Sequence, residues 1–173
     1  MNDGILIACI GNIFLGDDGF GFEVAQALAG CALPAGVEVR DYGIRGLDLA
    51  YALLCPWKAA VLVDAVSRGG TVGTLYLLQP EEAEPGGELG DVDPHGMDPV
   101  RVLAMARSLG KIRAPVYLVG CEPGDFGKEL EGRMGLSPEV AAAVPEAVKM
   151  IGQLANRLMA GAALEGAATG GTP

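Results

Sequence analysis

The opening strand, loop and helix constrain the fold of this chain more than any other segment. Residues 5–10 are all apolar, which is typical of a strand buried on both faces of a parallel sheet. A glycine-rich loop runs from Gly11 to Gly21, and residues 22–28 then have the pattern of a helix. A strand, a glycine loop and a helix in this order predict an α/β protein whose chain turns sharply at the carboxyl end of its first strand.

The loop carries two carboxylates where a phosphate-binding loop would carry a lysine and a hydroxyl. The spacing of Gly11 and Gly16 matches the start of a P-loop, but Asp17 and Asp18 follow instead of Lys and Ser or Thr. Because two carboxylates repel a phosphate, the loop favours a metal cation or acid–base chemistry. We interpret Asp17 as a solvent-exposed neighbour or a helix cap, and Asp18 as the functional residue of the pair.

Composition and charge exclude several classes of protein. The 173 residues indicate one globular domain over residues 1–160, with a tail over residues 161–173 that we expect to be disordered. The formal net charge of −10 argues against nucleic acid and anionic membranes as partners. No apolar run reaches membrane-spanning length and no leader precedes the first strand, so we expect a cytoplasmic protein. The four cysteines lack CxxC spacing, and we interpret them as reduced and structural.

Strand and helix signals alternate along the chain, which predicts a mainly parallel sheet with helices on both faces. The link between the third and fourth strands is too short for a crossover, so the fourth strand should run antiparallel, at or near an edge. Pro145 should kink or divide the last helix. The predicted strands cover residues 5–10, 37–42, 59–64, 71–78 and 115–121, the predicted helices cover residues 22–28, 47–54, 99–109 and about 138–159, and irregular loops cover residues 80–94 and 122–135.

Three side chains at strand ends and at a helix entry form a candidate metal site. Asp18 follows the first strand, Asp64 ends the third, and His95 precedes the helix that begins at Pro99. Sites in doubly wound sheets form outside the carboxyl ends of strands, where the strand order reverses. Two carboxylates and an imidazole suit a divalent transition metal with open positions. Taken singly, Asp18 could instead cap a helix, Asp64 could accept hydrogen bonds from turn amides, and His95 could be an ordinary surface histidine.

The chain resembles the hydrogenase maturation proteases, the endopeptidases that process the large subunit of nickel–iron hydrogenases. The resemblance spans residues 5 to about 158 and rests on four motifs. These are Gly11-Asn12 with Asp17-Asp18-Gly19-Phe20-Gly21, then Val63-Asp64-Ala65, then His95-Gly96, and finally Gly120-Cys121-Glu122-Pro123 followed by Leu136-Ser137-Pro138-Glu139. The resemblance implies a three-layer α/β/α sandwich of the phosphorylase/hydrolase-like type, around a five-stranded mixed sheet with one antiparallel strand.

The resemblance also assigns roles to particular residues. It implies that Asp18, Asp64 and His95 bind nickel and act as the catalytic residues. A further segment similar to the family's substrate-recognition segment contains Asp41, Gly43, Arg45 and Gly46. Ordinary turn glycines and an exposed arginine would explain that segment equally well.

The expected substrate is the precursor of a [NiFe]-hydrogenase large subunit, cut at its C-terminal extension after nickel insertion. The Ni²⁺ would arrive with the substrate, and either the metal or a carboxylate would activate the attacking water. We expect the chain to act as a monomer. The alternatives are a non-catalytic nickel-binding or nickel-checking module, a germination-type peptidase of the same fold, and a small-ligand or phosphate-binding protein.

Overall fold

A computed structural model describes residues 3–80, 97–124 and 134–162 of the chain. A short 3-10 helix at Gly16–Gly19 precedes the first of the helices. The strands in these ranges are β1 (Ile5–Ile10), β2 (Val37–Gly43), β3 (Ala59–Ala65), β4 (Leu75–Leu78) and β5 (Val116–Cys121). The helices are α1 (Phe20–Leu28), α2 (Gly46–Leu53), α3 (Pro99–Leu109) and α4 (Pro138–Met159).

The five strands form one sheet in the order β2-β1-β3-β5-β4. Neighbouring strands run parallel from β2 to β5, and β4 pairs antiparallel with β5 at the edge, which confirms the expected mixed sheet. The chain leaves β1 toward β2 on one side and returns to β3 on the other. The strand order therefore reverses between β1 and β3, and this gap between their carboxyl ends is the switch point of the fold.

Helices cover both faces of the sheet and explain the continuous apolar run of β1. The alternate residues Ile5, Ile7 and Cys9 pack in the core beneath α1 and α4. The intervening residues of β1 pack in a second core beneath α2 and α3. Successive side chains of a strand point to opposite faces, so a strand covered on both sides must be apolar at every position. The α/β/α sandwich expected from the sequence is confirmed.

Most element bounds agree with the sequence to within a few residues. Helix α3 begins and ends as predicted, whereas β4 begins at Leu75 rather than at residue 71. The N–H of Thr74 donates to the carbonyl of Thr71, and this turn delays the strand. The predicted loops over residues 80–94 and 122–135 and the predicted tail lie largely outside the described residues.

Helix α4 is continuous, so the expected division at Pro145 does not occur. A proline removes the hydrogen bond to the carbonyl four residues earlier, which belongs to Ala141. Pro145 and Ala141 are both exposed, so water can solvate that carbonyl. The buried face of α4 holds both halves against the sheet through Val140, Ala143, Ala147, Ile151, Leu154 and Leu158. None of the helices in the described ranges is both long and apolar enough to cross a membrane.

Two glycines, Gly11 in the loop after β1 and Gly21 in the first turn of α1, allow backbone segments to approach closely at the switch point. A β-carbon on Gly21 would overlap the carbonyl oxygen of Ile10 and lie 2.9 Å from that of Val63, so α1 rests directly on the ends of β1 and β3. Gly11 has a φ of +142°, and a β-carbon there would overlap the carbonyl oxygen of Asp18. The glycines thus bring the 3-10 helix against the switch point.

A buried carboxylate fastens the end of β5 to the β3–β4 connection. The Glu122 side chain accepts hydrogen bonds from the N–H groups of Arg68 (2.8 Å) and Gly69 (3.2 Å) and from the hydroxyl of Tyr76 (2.8 Å). Burial alone raises the pKa of Glu122, but these bonds and one from the Gly70 N–H outweigh it and lower the pKa below its ordinary value.

Replacing Glu122 with Gln should therefore destabilise the protein at neutral pH, by about 1–3 kcal/mol for the loss of charge-assisted hydrogen bonds. A lowered pKa in the folded state adds stability above the ordinary carboxyl pKa, and this stability is lost as the pH falls through the folded value. Urea denaturation of both proteins at several pH values measures the difference. This difference in the free energy of unfolding should shrink steadily below about pH 4. A difference that is the same at every pH would contradict the role of the Glu122 charge.

Candidate active site

Asp18 and Asp64 both lie close to Gly11 at the switch point. Asp64 is 2% exposed, and its Oδ1 accepts a hydrogen bond from the N–H of Ala65 at 2.8 Å. Asp18 is half-buried, and its Oδ2 accepts a hydrogen bond from the N–H of Asn12 at 2.8 Å. The N-cap residue of α1 is Gly19 rather than Asp18. A β-carbon on Gly11 would come within 3.9 Å of Asp64 Oδ1 while overlapping the backbone of Asp18.

The two carboxylates are electrostatically coupled. Burial raises the pKa of Asp64 well above its ordinary value, and the negative charge of Asp18 raises it further. The N–H of Ala65 offsets part of this effect, and the carboxylate of Asp98 adds to it. Burial and like charge both disfavour the ionised form of Asp64. A divalent cation beside the pair would instead favour the ionised form of Asp64, because metal ions bind deprotonated carboxylates.

The predicted third ligand, His95, lies outside the described residues. The described residues resume at Met97, whose side chain packs against Gly46. Asp98 then forms the N-cap of α3, and its Oδ1 accepts a hydrogen bond from the N–H of Arg101 at 3.1 Å. Within residues 3–80, 97–124 and 134–162, no three His, Cys, Asp or Glu side chains gather closely enough to hold a metal ion. The complete ligand set therefore stays a prediction.

Asp17 is buried, and our expectation of a solvent-exposed neighbour was wrong. Only 1% of the residue is exposed. Its carboxylate accepts hydrogen bonds from the N–H of Gly124 and from both the N–H and the hydroxyl of Ser137. These residues lie at the end of β5 and immediately before α4, so the carboxylate holds distant segments together. A carboxylate with three donors is stable in a buried position.

The segment expected to recognise substrate runs beside the switch point. Asp41 Oδ1 accepts a hydrogen bond from the N–H of Gly43 at 2.9 Å, and Gly43 turns the chain with a φ of +54°. The carbonyl of Gly43 then accepts a hydrogen bond from the N–H of Gly11 at 3.0 Å. Gly46 is buried under Met97. Both glycines therefore have structural reasons to be present, and the segment contacts the loop that carries Asp18.

Arg45 lies at an open cleft of about 560 Å³ between β2 and α2. Its guanidinium donates to the carbonyls of Asp41 (2.6 Å) and Tyr42 (3.2 Å), and its Nη1 lies 3.8 Å from a carboxylate oxygen of Asp48. The cleft is lined by charged and aromatic side chains that include those four residues and Tyr51. Such a surface can accept main-chain groups of an extended peptide as well as its charged end.

The buried cysteines are not candidates for a nucleophile. Cys9 and Cys121 are fully buried in β1 and β5, as their strand positions predicted. Burial raises the pKa of the Cys121 thiol to about 12, and it also raises the pKa of Cys9, with smaller contributions from Asp41 and Asp64. Both thiols stay protonated at neutral pH, and the thiol is a poor nucleophile compared with the thiolate.

Comparison with known proteins identifies the family. The family model of the hydrogenase maturation proteases matches residues 22–154. This chain belongs to the hydrogenase maturation protease family. It is accordingly a peptidase, as expected from its motifs.

Individual relatives agree with this assignment over most of their lengths. The hydrogenase 2 maturation protease of Escherichia coli is 31% identical over 149 residues, which cover 85% of this chain and 87% of the relative. The structure of a hydrogenase maturating endopeptidase from E. coli superimposes with a TM-score of 0.70 at 29% identity, covering 91% of this chain and 94% of that one. A [NiFe]-hydrogenase maturation protease from Thermococcus kodakarensis gives a TM-score of 0.62 at 25% identity, covering 88% and 92%.

Sequence reasoning missed two carboxylates of this maturation protease. The structural role of Asp17 left no local signal, because its partners lie more than 100 residues away in sequence. Asp98 had a signal that could have been used, since an Asp directly before a proline that opens a helix is a favoured N-cap. Its electrostatic effect on Asp64 follows only from the folded arrangement, which brings the N-cap of α3 near the end of β3.

Proposed function

We propose that this maturation protease removes the C-terminal extension of a [NiFe]-hydrogenase large-subunit precursor after nickel has been inserted. The observation that carries the proposal is the coupled pair of carboxylates, Asp18 and Asp64, at the switch point of a chain that belongs to this family. A carboxylate whose pKa is raised by burial and further by a second carboxylate is poised to release its proton when a cation approaches. Nickel held by the precursor would be that cation and would mark the substrate as ready for cleavage.

His95 would complete the nickel ligands contributed by the protease. Asp98 is close enough to Asp64 to influence its ionisation, and His95 precedes Asp98 by three residues. Three residues span at most roughly 11 Å of extended chain, and this short reach supports His95 as a ligand at this edge. Two carboxylates and one imidazole suit a divalent transition metal and leave positions for ligands from the substrate.

The protein's own groups would prepare the hydrolysis in three ways. The N–H of Asn12 holds the Asp18 carboxylate in place, and Asp64 would release its proton to water as the metal-bearing substrate docks. When bound, the metal would polarise the scissile carbonyl or lower the pKa of a water molecule. A carboxylate that is not engaged by the metal would instead serve as general base. Either route ends in hydrolysis of one peptide bond.

The extension of the precursor would lie along the segment that contains Asp41, Gly43, Arg45 and Gly46. The hydrogen bond between Gly43 and Gly11 joins this segment to the loop that carries Asp18, so a peptide bound there would pass close to the carboxylate pair. The Arg45 guanidinium has five N–H donors, more than its two hydrogen bonds to backbone carbonyls use. It could therefore also hold a main-chain carbonyl or the terminal carboxylate of the extension.

Incubation of purified large-subunit precursor with the protease tests this function, with mass spectrometry as the measurement. We expect loss of the C-terminal extension from nickel-loaded precursor and no cleavage of nickel-free precursor. The matched control is the same precursor reloaded with zinc. Equal cleavage with and without nickel would contradict recognition of nickel. Binding of loaded precursor without any cleavage would favour the nickel-checking module instead.

A further inference from the structure

The adjacent residues Asp17 and Asp18 point to different parts of the molecule. Both belong to the 3-10 helix Gly16–Gly19, in which successive side chains project about 120° apart. Asp18 faces the switch point, where its carboxylate accepts a hydrogen bond from the N–H of Asn12. Asp17 turns into the protein. The two carboxylates therefore have different environments even though one peptide bond joins them.

The contacts of Asp17 cross-link three elements at the carboxyl edge of the sheet. Oδ2 accepts hydrogen bonds from the N–H of Gly124 (2.8 Å) and the hydroxyl of Ser137 (2.9 Å). Oδ1 accepts a hydrogen bond from the N–H of Ser137 at 2.6 Å. Gly124 follows β5, and Ser137 is the N-cap residue of α4. The 3-10 helix is thereby tied to β5 on one side and to α4 on the other.

We propose that Asp17 is a positioning residue that fixes the direction of Asp18 toward Asp64. A short 3-10 helix has hydrogen bonds of poorer geometry than an α-helix, so it needs tertiary contacts to hold its orientation. The charge-assisted bonds of Asp17 to Gly124 and Ser137 supply such contacts, in a direction different from that of Asp18. The inference rests on the proposed function only for what Asp18 does, and not for how Asp18 is held.

The first test compares three variants in the cleavage of nickel-loaded precursor. Asp17→Asn replaces one acceptor oxygen by an NH₂ group that meets an N–H or hydroxyl donor, so we expect kcat to fall roughly 10- to 100-fold. KM should be unchanged because buried Asp17 does not reach the substrate. Ser137→Ala removes only the bond from the Ser137 hydroxyl and should give a smaller decrease in kcat. Glu122→Gln is the matched control, since it breaks another buried carboxylate network at the same edge and should keep kcat.

The second test needs no activity. The Asn12 amide donates to the Asp18 carboxylate, so its hydrogen exchange, followed by NMR, reports whether Asp18 keeps its place. We expect faster exchange of this amide in Asp17→Asn and Ser137→Ala, and the wild-type rate in Glu122→Gln. Circular dichroism at the assay temperature establishes that each variant is fully folded.

The outcomes separate this inference from the proposed function. Wild-type kcat and wild-type Asn12 exchange in Asp17→Asn would overturn the positioning role. An equal fall of kcat in Asp17→Asn and Glu122→Gln would also overturn it, because general destabilisation would then explain both. If Asp17→Asn does not fold, Ser137→Ala decides, and unchanged exchange and kcat in that variant refute the proposal. If the wild-type protein cleaves no precursor, the proposed function fails and the exchange measurement still decides the role of Asp17.

Discussion

Replacing Asp64 with Asn should reduce kcat for nickel-loaded precursor by roughly 10²- to 10⁴-fold, the range expected for loss of a catalytic acid or base. The substitution keeps the size of the side chain and an oxygen that can accept the hydrogen bond from Ala65. It removes the charge that would bind the metal or activate water. Mass spectrometry of the precursor over time gives the rate, and Glu146→Gln on the exposed face of α4 is the matched control. Cleavage by Asp64→Asn at the wild-type rate would exclude Asp64 from the chemistry.

The same variant should be more stable than the wild-type protein when no metal is bound. Burial and the charge of Asp18 raise the pKa of Asp64 in the folded state, so folding takes up a proton between the ordinary carboxyl pKa of 3.8 and the raised value. The contribution of Asp64 to the free energy of unfolding of the wild-type protein therefore falls as the pH rises through that window. Asparagine cannot ionise, so it avoids the unfavourable burial of a carboxylate beside Asp18. We therefore expect the free energy of unfolding of Asp64→Asn to exceed that of the wild-type protein by roughly 0.5–2 kcal/mol at neutral pH, as is common when a residue that serves function at the expense of stability is replaced.

Thermal unfolding followed across pH measures this gain. The two proteins should become equally stable below about pH 4, where Asp64 is protonated in both folded and unfolded states. Glu146→Gln should show no comparable change, because its side chain is exposed. A destabilised Asp64→Asn at neutral pH would mean that the carboxylate holds the fold together rather than serving the site.

Replacing Gly21 with Ala should destabilise the protein by about 3 kcal/mol or more. The new methyl group would overlap the carbonyl oxygen of Ile10 and lie 2.9 Å from that of Val63, and neither strand can move without disturbing the whole sheet. Overpacking against fixed backbone is among the more costly changes in a core. For a protein of this size the change corresponds to a decrease of about 6–12 °C in the melting temperature.

Gly152→Ala is the matched control, because it makes the same chemical change in a helix with the opposite expected sign. A β-carbon on Gly152 would meet no atom within 4 Å, and alanine favours a helix by about 0.5–1 kcal/mol over glycine. Urea denaturation should therefore give Gly21→Ala a lower free energy of unfolding than the wild-type protein and Gly152→Ala a higher one. If Gly21→Ala were as stable as the wild type, α1 would not rest on the ends of β1 and β3.

The amino-acid sequence by itself determined the class and order of the fold. Strands covered on both faces must be continuously apolar, so β1 and β3 were evident without any tertiary information. The short connection between β3 and β4 excludes a crossover, which placed β4 antiparallel at the edge. The bounds of α3 were also predicted, because apolar residues recur at helical spacing from Pro99 to Leu109. These features depend on neighbours in sequence, which is why the sequence is sufficient for them.

Only the tertiary structure showed how Asp17 is used. The sequence singled out Asp18 as the functional residue of the pair, but it gave no indication that Asp17 is a buried anchor. The anchor's partners, Gly124 and Ser137, are brought to Asp17 by the pairing of β5 with β3 and by the packing of α4 on the sheet. The raised pKa of Asp64 likewise depends on burial and on Asp18, which lies across the switch point. Contacts between segments so far apart in sequence exist only once the sheet has formed, so they could not be derived from local patterns.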